Sequence, residues 1–215
     1  TVFLSPLNKT DVVLDKMGQT AIPKRTIVAD RLGLAAPDLP WHTERGRIGR
    51  LAGALGVTAG ALGKPARDVT LLAQNEVGEV EEGAPGGSSA MAHKHNPVAA
   101  VSTLAATAQA PGLVATLLAC AVQEHQRGAG SWQAEWQPLR SLLVAVGSGA
   151  AWLRTCVEGL VVHTDVMRAN LERAGAPSGS AATDPVGSAG HFVDRALANH
   201  SALRSDDSAA RRTDG

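Results

Sequence analysis

The pattern that most narrows the fold is a long helical period. Between Glu44 and about Val80, apolar residues fall at Ile48, Leu51, Leu55, Ala59, Leu62, Ala66, Val69 and Leu72, in steps of three and four that share one helix face. Thr43 is placed to cap the start. Pro65 inside the run predicts a kink or a division, because proline lacks an N–H and its ring clashes with the preceding turn. Two further runs repeat the period. Val98, Val101, Leu104, Ala105 and Ala108 open one buried face, which Pro111-Gly112 interrupts and Leu113, Leu117, Ala121 and Val122 resume. Leu139, Leu142, Val146, Ala150, Leu153 and Val157 line another, from about Glu135 to Leu160. No strand-like alternation competes, so the expected class is all-α, a bundle of long helices.

These helices define a central domain over 44–172, broken by a Gly- and Ser-rich loop at 83–97. The leading segment, 1–43, holds no sustained period and ends in the Pro-punctuated stretch Ala35–Thr43, a loop. In the trailing segment, 173–215, Gly175–Gly190 reads as a linker, His191–His200 suits one short helix, and 204–215 is expected to be a disordered tail. Asp165 can cap a short helix through Leu171 just ahead of it.

Lys plus Arg and Asp plus Glu stand at 20 each, so no global charge recruits nucleic acid or an acidic membrane surface. No run of about 18 consecutive apolar residues suggests a span. Cys120 and Cys156 lie inside apolar helical patterns, as buried thiols of a reducing cytoplasm do. The expectation is a soluble, cytoplasmic protein whose partner is a small molecule or another copy of itself, with neither nucleic acid nor membrane as partner.

The chemistry concentrates in Gly86-Gly87-Ser88-Ser89-Ala90-Met91-Ala92-His93-Lys94-His95-Asn96-Pro97. A Gly-rich stretch, two hydroxyls, a cation and an amide stand at the mouth of a helix that Pro97 suits as first residue and Asn96 as cap. Backbone N–H groups of the glycines and of the helix start favour an anion, and Lys94 adds a formal positive charge. Taken by itself such a loop is either a flexible connection or a carboxylate site. The run resembles the fumarase/aspartase superfamily pattern Gly-Ser-Ser-x-Met-Pro-x-Lys-x-Asn-Pro, departing from it at Ala92, where the family has proline. Two other stretches resemble the 3-carboxy-cis,cis-muconate cycloisomerase branch: Leu39-Pro40-Trp41-His42-Thr43, and the run from Gln123-Glu124-His125-Gln126-Arg127 to Trp132-Gln133-Ala134-Glu135-Trp136.

That resemblance covers roughly Arg31 to Leu171 and implies the middle of a longer family chain, truncated at both ends. It implies an L-aspartase-like bundle, mainly its central helical domain. It further implies a homotetramer whose active sites each draw on three subunits, and a lactonising activity of protocatechuate degradation that takes a small polycarboxylate and needs no metal or organic cofactor. By the same resemblance Ser88 is the general base or proton donor and Lys94 its catalytic partner, with Ser89, Met91 and Asn96 binding substrate. Arg127 is either a second carboxylate ligand, in the bidentate manner of a guanidinium, or half of an ion pair. His42, His93 and His125 are open as proton shuttles or as polar structural residues. Another superfamily lyase, such as an adenylosuccinate lyase, and a non-catalytic helical remnant remain as alternatives.

Overall fold

The computed structural model describes residues 29–35, 43–83, 85–87, 96–124, 128–175 and 187–213, with the side chains of the last helix as far as Ala202. Besides a helical turn at 29–31, the helices of the described residues are α1 (Gly46–Leu72), α2 (Val98–Thr107), α3 (Ala110–Ala119), α4 (Ser131–Ala134), α5 (Trp136–Glu158), α6 (Thr164–Arg173) and α7 (Ala189–Thr213). Two short strands, β1 (Val80–Glu81) and β2 (Val161–Val162), pair antiparallel with Val80 opposite Val162. This ladder is a small exception to the expected absence of strands within an all-α chain. The chain divides into two compact units, Thr1–Val162 and His163–Gly215.

In the first unit α1, α2, α3 and α5 pack on one another around Ile48, Ala52, Ala59, Ala110, Leu117, Leu142 and Val146. Leu55, Leu62, Leu113, Val114 and Leu139 pack against that cluster from its edge. Small residues set the helix spacing: a Cβ on Gly56 would stand 3.1 Å from Val114 Cγ2, and one on Gly149 would stand 3.0 Å from Thr107 Cγ2. At these two positions glycine serves close packing, since an added methyl would overpack the interface.

Pro65 lies inside α1 without dividing it. Ala59, Ala66 and Val69 are buried on either side of it, so one continuous packed face offsets the missing hydrogen bond. The helix start differs from expectation. Arg45, not Thr43, is its N-cap residue, and the Gly46 N–H donates to Glu44 Oε1 at 2.8 Å. The end comes at Leu72, well short of Val80, because the chain turns through Gly78, whose φ of 62° is left-handed, and its N–H reaches the Gln74 carbonyl at 2.7 Å. Pro111 does not break a helix. The break is the turn at Ala108-Gln109, and Pro111 sits in the first turn of α3, where its lack of an N–H costs nothing.

The face of α2 also departs from the pattern. Ala99, Ala100, Thr103 and Thr107 are buried, whereas Val98 and Val101 are exposed. The threonine hydroxyls donate back to the carbonyls of Ala99 and Thr103 at 2.9 Å, which satisfies them inside the core. The segment Val98–Ala119 is apolar and long enough to cross a membrane by length and composition alone, yet it is broken at Ala108-Gln109 and packs on α1 and α5.

In the second unit α6 spans the short helix expected near Asp165, which lies in its first turn. The tail expected to be disordered beyond Arg204 is helical through Thr213. Residues 191–213 contain neither glycine nor proline, so nothing local stops a helix once Ala189 has begun it.

Candidate functional site

The stem of the Gly86–Pro97 loop is built from three directions. β1 is fixed against β2 by the ladder. One step further on, Gly83 crosses Gly159 so closely that a Cβ at Gly83 would lie 2.6 Å from the Gly159 carbonyl oxygen. Only glycine permits that approach of two backbones. Gly86 and Asn96 then exchange both backbone hydrogen bonds, each 2.9 Å. The Asn96 carbonyl accepts a second bond from the Val98 N–H, also 2.9 Å. A Cβ at Gly86 would meet Val98 Cγ2 at 2.3 Å, so the strand lies directly on the start of α2.

Glu82 completes this base. It is 4% exposed, and its Oε2 and Oε1 accept the N–H groups of Ala99 at 3.0 Å and Ala100 at 2.7 Å. The buried thiol of Cys156, from α5, donates to the same carboxylate, and burial, followed by this contact, raises its pKa from 9.0 to about 11. The first-turn amides of α2 are thus already occupied. That corrects the expectation that they would receive a ligand carboxylate. It also replaces the expected Asn96 cap: Pro97 holds the N-cap position, with no side-chain bond of its own, and Glu82 caps the helix from outside.

Of the candidate site residues, Asn96 is described, half-buried at the end of this stem. Ser88, Ser89, Met91, Lys94 and Arg127, with His42, His93 and His125, lie outside the described residues. Among the described residues no group of three or more His, Cys, Asp or Glu side chains is arranged to hold a metal ion.

The second candidate stretch is anchored at both ends. Gln123 Nε2 donates to the Cys120 carbonyl at 2.7 Å, and a Cβ at Gly128 would fall 1.6 Å from Gln123 Oε1, so the Gln123 side chain occupies the space Gly128 leaves open. Gly130, at φ 87°, turns the chain into α4, and its N–H donates to Gln133 Oε1 at 3.0 Å. Trp132 and Trp136 meet edge to face with centroids 5.1 Å apart. Between them Glu135, 2% exposed, takes a two-pronged ion pair from Arg45.

A groove of about 380 Å³ runs between α2 and α5, lined by Gln109, Gln137, Arg140, Ser141 and Ser148 among others. It lies toward the far end of α2, roughly 15 Å along the helix from Asn96 at the α-helical rise, and takes no part in the stem. Sequence reasoning missed Glu82, Cys156 and the Arg45–Glu135 pair as organisers of the two stretches. Only the Trp-x-Ala-Glu-Trp run carried a signal, since it places one acidic residue between two aromatics.

The family described as Lyase matches residues 17–112. The chain is 47% identical over 161 residues to the 3-carboxy-cis,cis-muconate cycloisomerase of Pseudomonas aeruginosa, a match covering 74% of this chain and 35% of that protein. It is also 45% identical over 150 residues to the nitrosuccinate lyase of Streptomyces davaonensis, covering 68% of this chain and 32% of the other. Among solved structures, the 3-carboxy-cis,cis-muconate lactonizing enzyme of Pseudomonas putida superposes with a TM-score of 0.65 at 41% identity, over 71% of this chain and 33% of that one. The chain thus spans about a third of the length of the relatives it matches. In sequence and in its long-helix fold the chain is thus similar to lyases of the fumarase/aspartase type, the 3-carboxy-cis,cis-muconate cycloisomerases among them.

Proposed function

We propose that the chain carries one subunit's share of a cytoplasmic 3-carboxy-cis,cis-muconate cycloisomerase, acting in the protocatechuate branch of aromatic degradation. The observation that carries this reading is the kinship at 47% identity across a segment that includes the reactive loop. In the reaction, one carboxylate of the substrate adds across the conjugated diene and closes a lactone, while Ser88 delivers a proton to the carbon beside another carboxylate. Lys94 and Asn96 hold the enediolate-like charge that develops there. Ser89, Met91 and Arg127 complete the substrate contacts, and Ser88 regains its proton from solvent.

Self-association belongs to the same reading. Val101, Leu118, Val122, Trp152 and Val157 are exposed on or beside the long helices, and a homotetramer that buries them would bring three chains to each site. The 45% identity to a nitrosuccinate lyase favours a second reading, elimination from a substituted succinate by the same serine and lysine. Purified protein added to 3-carboxymuconate should abolish the diene's ultraviolet absorbance, and Ser88→Ala should prevent this with helix content unchanged. No loss of absorbance would overturn the first reading. If adenylosuccinate and nitrosuccinate are also left intact, the chain is a non-catalytic helical remnant.

A further inference from the structure

We propose that Glu82 is a positioning residue for Asn96, acting through the first turn of α2 and the Gly86–Asn96 bridge. The inference rests on reading that loop as the reactive one. The two sides of the stem are joined twice. At the outer end Gly86 and Asn96 exchange backbone bonds of 2.9 Å. At the inner end the Glu82 carboxylate takes the N–H groups of Ala99 and Ala100 at 3.0 and 2.7 Å. Asn96 is itself part of the outer junction and stands only two residues ahead of α2, so its place follows from where α2 begins and in what direction.

The carboxylate is suited to hold that start. Both oxygens are engaged, each by a different amide, which fixes rotation of the helix end as well as its distance from β1. The helix N-terminus favours the negative charge in a site that water does not reach. The Cys156 thiol makes a third contact from α5, and the Gly83–Gly159 crossing keeps β1 from sliding along that helix. Strand β1, α2 and α5 therefore converge on one buried side chain, and the reactive loop leaves from that point. None of this spends Glu82 on the ligand. It touches backbone and a thiol, and affects chemistry only by placing Asn96.

Amide hydrogen exchange, read residue by residue on the full chain, tests this without reference to activity. The Gly86 and Asn96 amides are hydrogen-bonded and should be protected in the parent. Glu82→Gln keeps the shape but sets an NH2 group against one of the two amides. It should speed exchange at Gly86 and Asn96 by roughly ten- to a hundredfold, the loss expected for one hydrogen bond to a charged group. Glu82→Ala should speed it further, while Leu142 and Val146 in the core keep their parent rates. Unchanged rates at Gly86 and Asn96 would overturn the proposal, as would equal acceleration at the core amides, which would make Glu82 a general stabiliser. If the alanine variant does not fold, the glutamine variant decides. Should the exchange result hold while the parent leaves 3-carboxymuconate untouched, the stem assignment stands and the functional reading is the part that fails.

Discussion

Arg45 and Glu135 offer the sharpest test of what holds the first unit together. They are 7% and 2% exposed, stand at the N-caps of α1 and α5, and are joined by Nε to Oε1 at 2.8 Å and by a second bond from Nη2 to Oε2. The pair thus ties together the starts of the two longest helices of the unit. Removing either residue breaks the two-pronged pair and leaves the other charge buried, so Arg45→Met and Glu135→Leu should each cost about 3–5 kcal/mol. Replacing both removes the two desolvation penalties together, and the methionine keeps the apolar stem of the arginine. The double variant should therefore be more stable than either single one. Urea unfolding followed by circular dichroism at fixed protein concentration reads this directly. With a slope of about 2 kcal/mol/M, each single substitution lowers the midpoint by roughly 1.5–2.5 M. Because the pair is buried, the differences should survive added salt. A double variant whose loss equals the sum of the two singles would refute the reasoning, since it would show that the two charges do not depend on each other.

Leu142, fully buried among the core side chains, should cost about 2–5 kcal/mol on conversion to alanine, measured by the same unfolding experiment. Cys156, with its pKa raised to about 11 by burial first and then by Glu82, keeps its proton in the fold over a range where the unfolded thiol loses it. Its stabilising contribution is whole below about pH 9 and falls by about 3 kcal/mol as pH rises toward 11. The difference in stability between the parent and Cys156→Ala should shrink by that amount across the window, and a constant difference would contradict it. The chain has no tyrosine, so no phenol titrates in the same range. Gly83→Ala, which places a methyl 2.6 Å from the Gly159 carbonyl oxygen, should cost up to about 3 kcal/mol and release the β1–β2 ladder, seen as faster exchange of its amides.

Helical period revealed the long helices because their faces repeat within a few residues, and it succeeded even across Pro65. It misjudged α2. Val98 and Val101 have the spacing of a buried face, but so do Ala99, Thr103 and Thr107 one position on. The period says which residues share a face and not which of two adjacent faces meets a neighbour. Close approach to α1 and α5 selected the small face, as the 3.0 Å fit of Gly149 against Thr107 shows. The valines, larger and more apolar, were left outward. Hydrophobicity alone ranks them the other way.

Glu82 was illegible for a different reason. It ends the run Glu79-Val80-Glu81-Glu82, where acidic neighbours suggest a solvated turn, and its partners stand 17 and 18 residues further along the chain. An ordinary helix cap has a spacing that can be read, because donor and acceptor lie within one turn. A cap supplied from a separate strand has none, since the distance is closed by the β1–β2 ladder and the Gly83–Gly159 crossing. The sequence therefore offered the α2 amides to a ligand when the fold had already assigned them to the protein. On the proposed reading the loop attracts a carboxylate through Asn96, Lys94 and its own amides, so charge reversal at Lys94 should weaken ligand binding strongly. Polycarboxylate binding by Lys94→Glu, measured by calorimetry beside the parent, gives the direct comparison; equal affinities would remove Lys94 from the binding site.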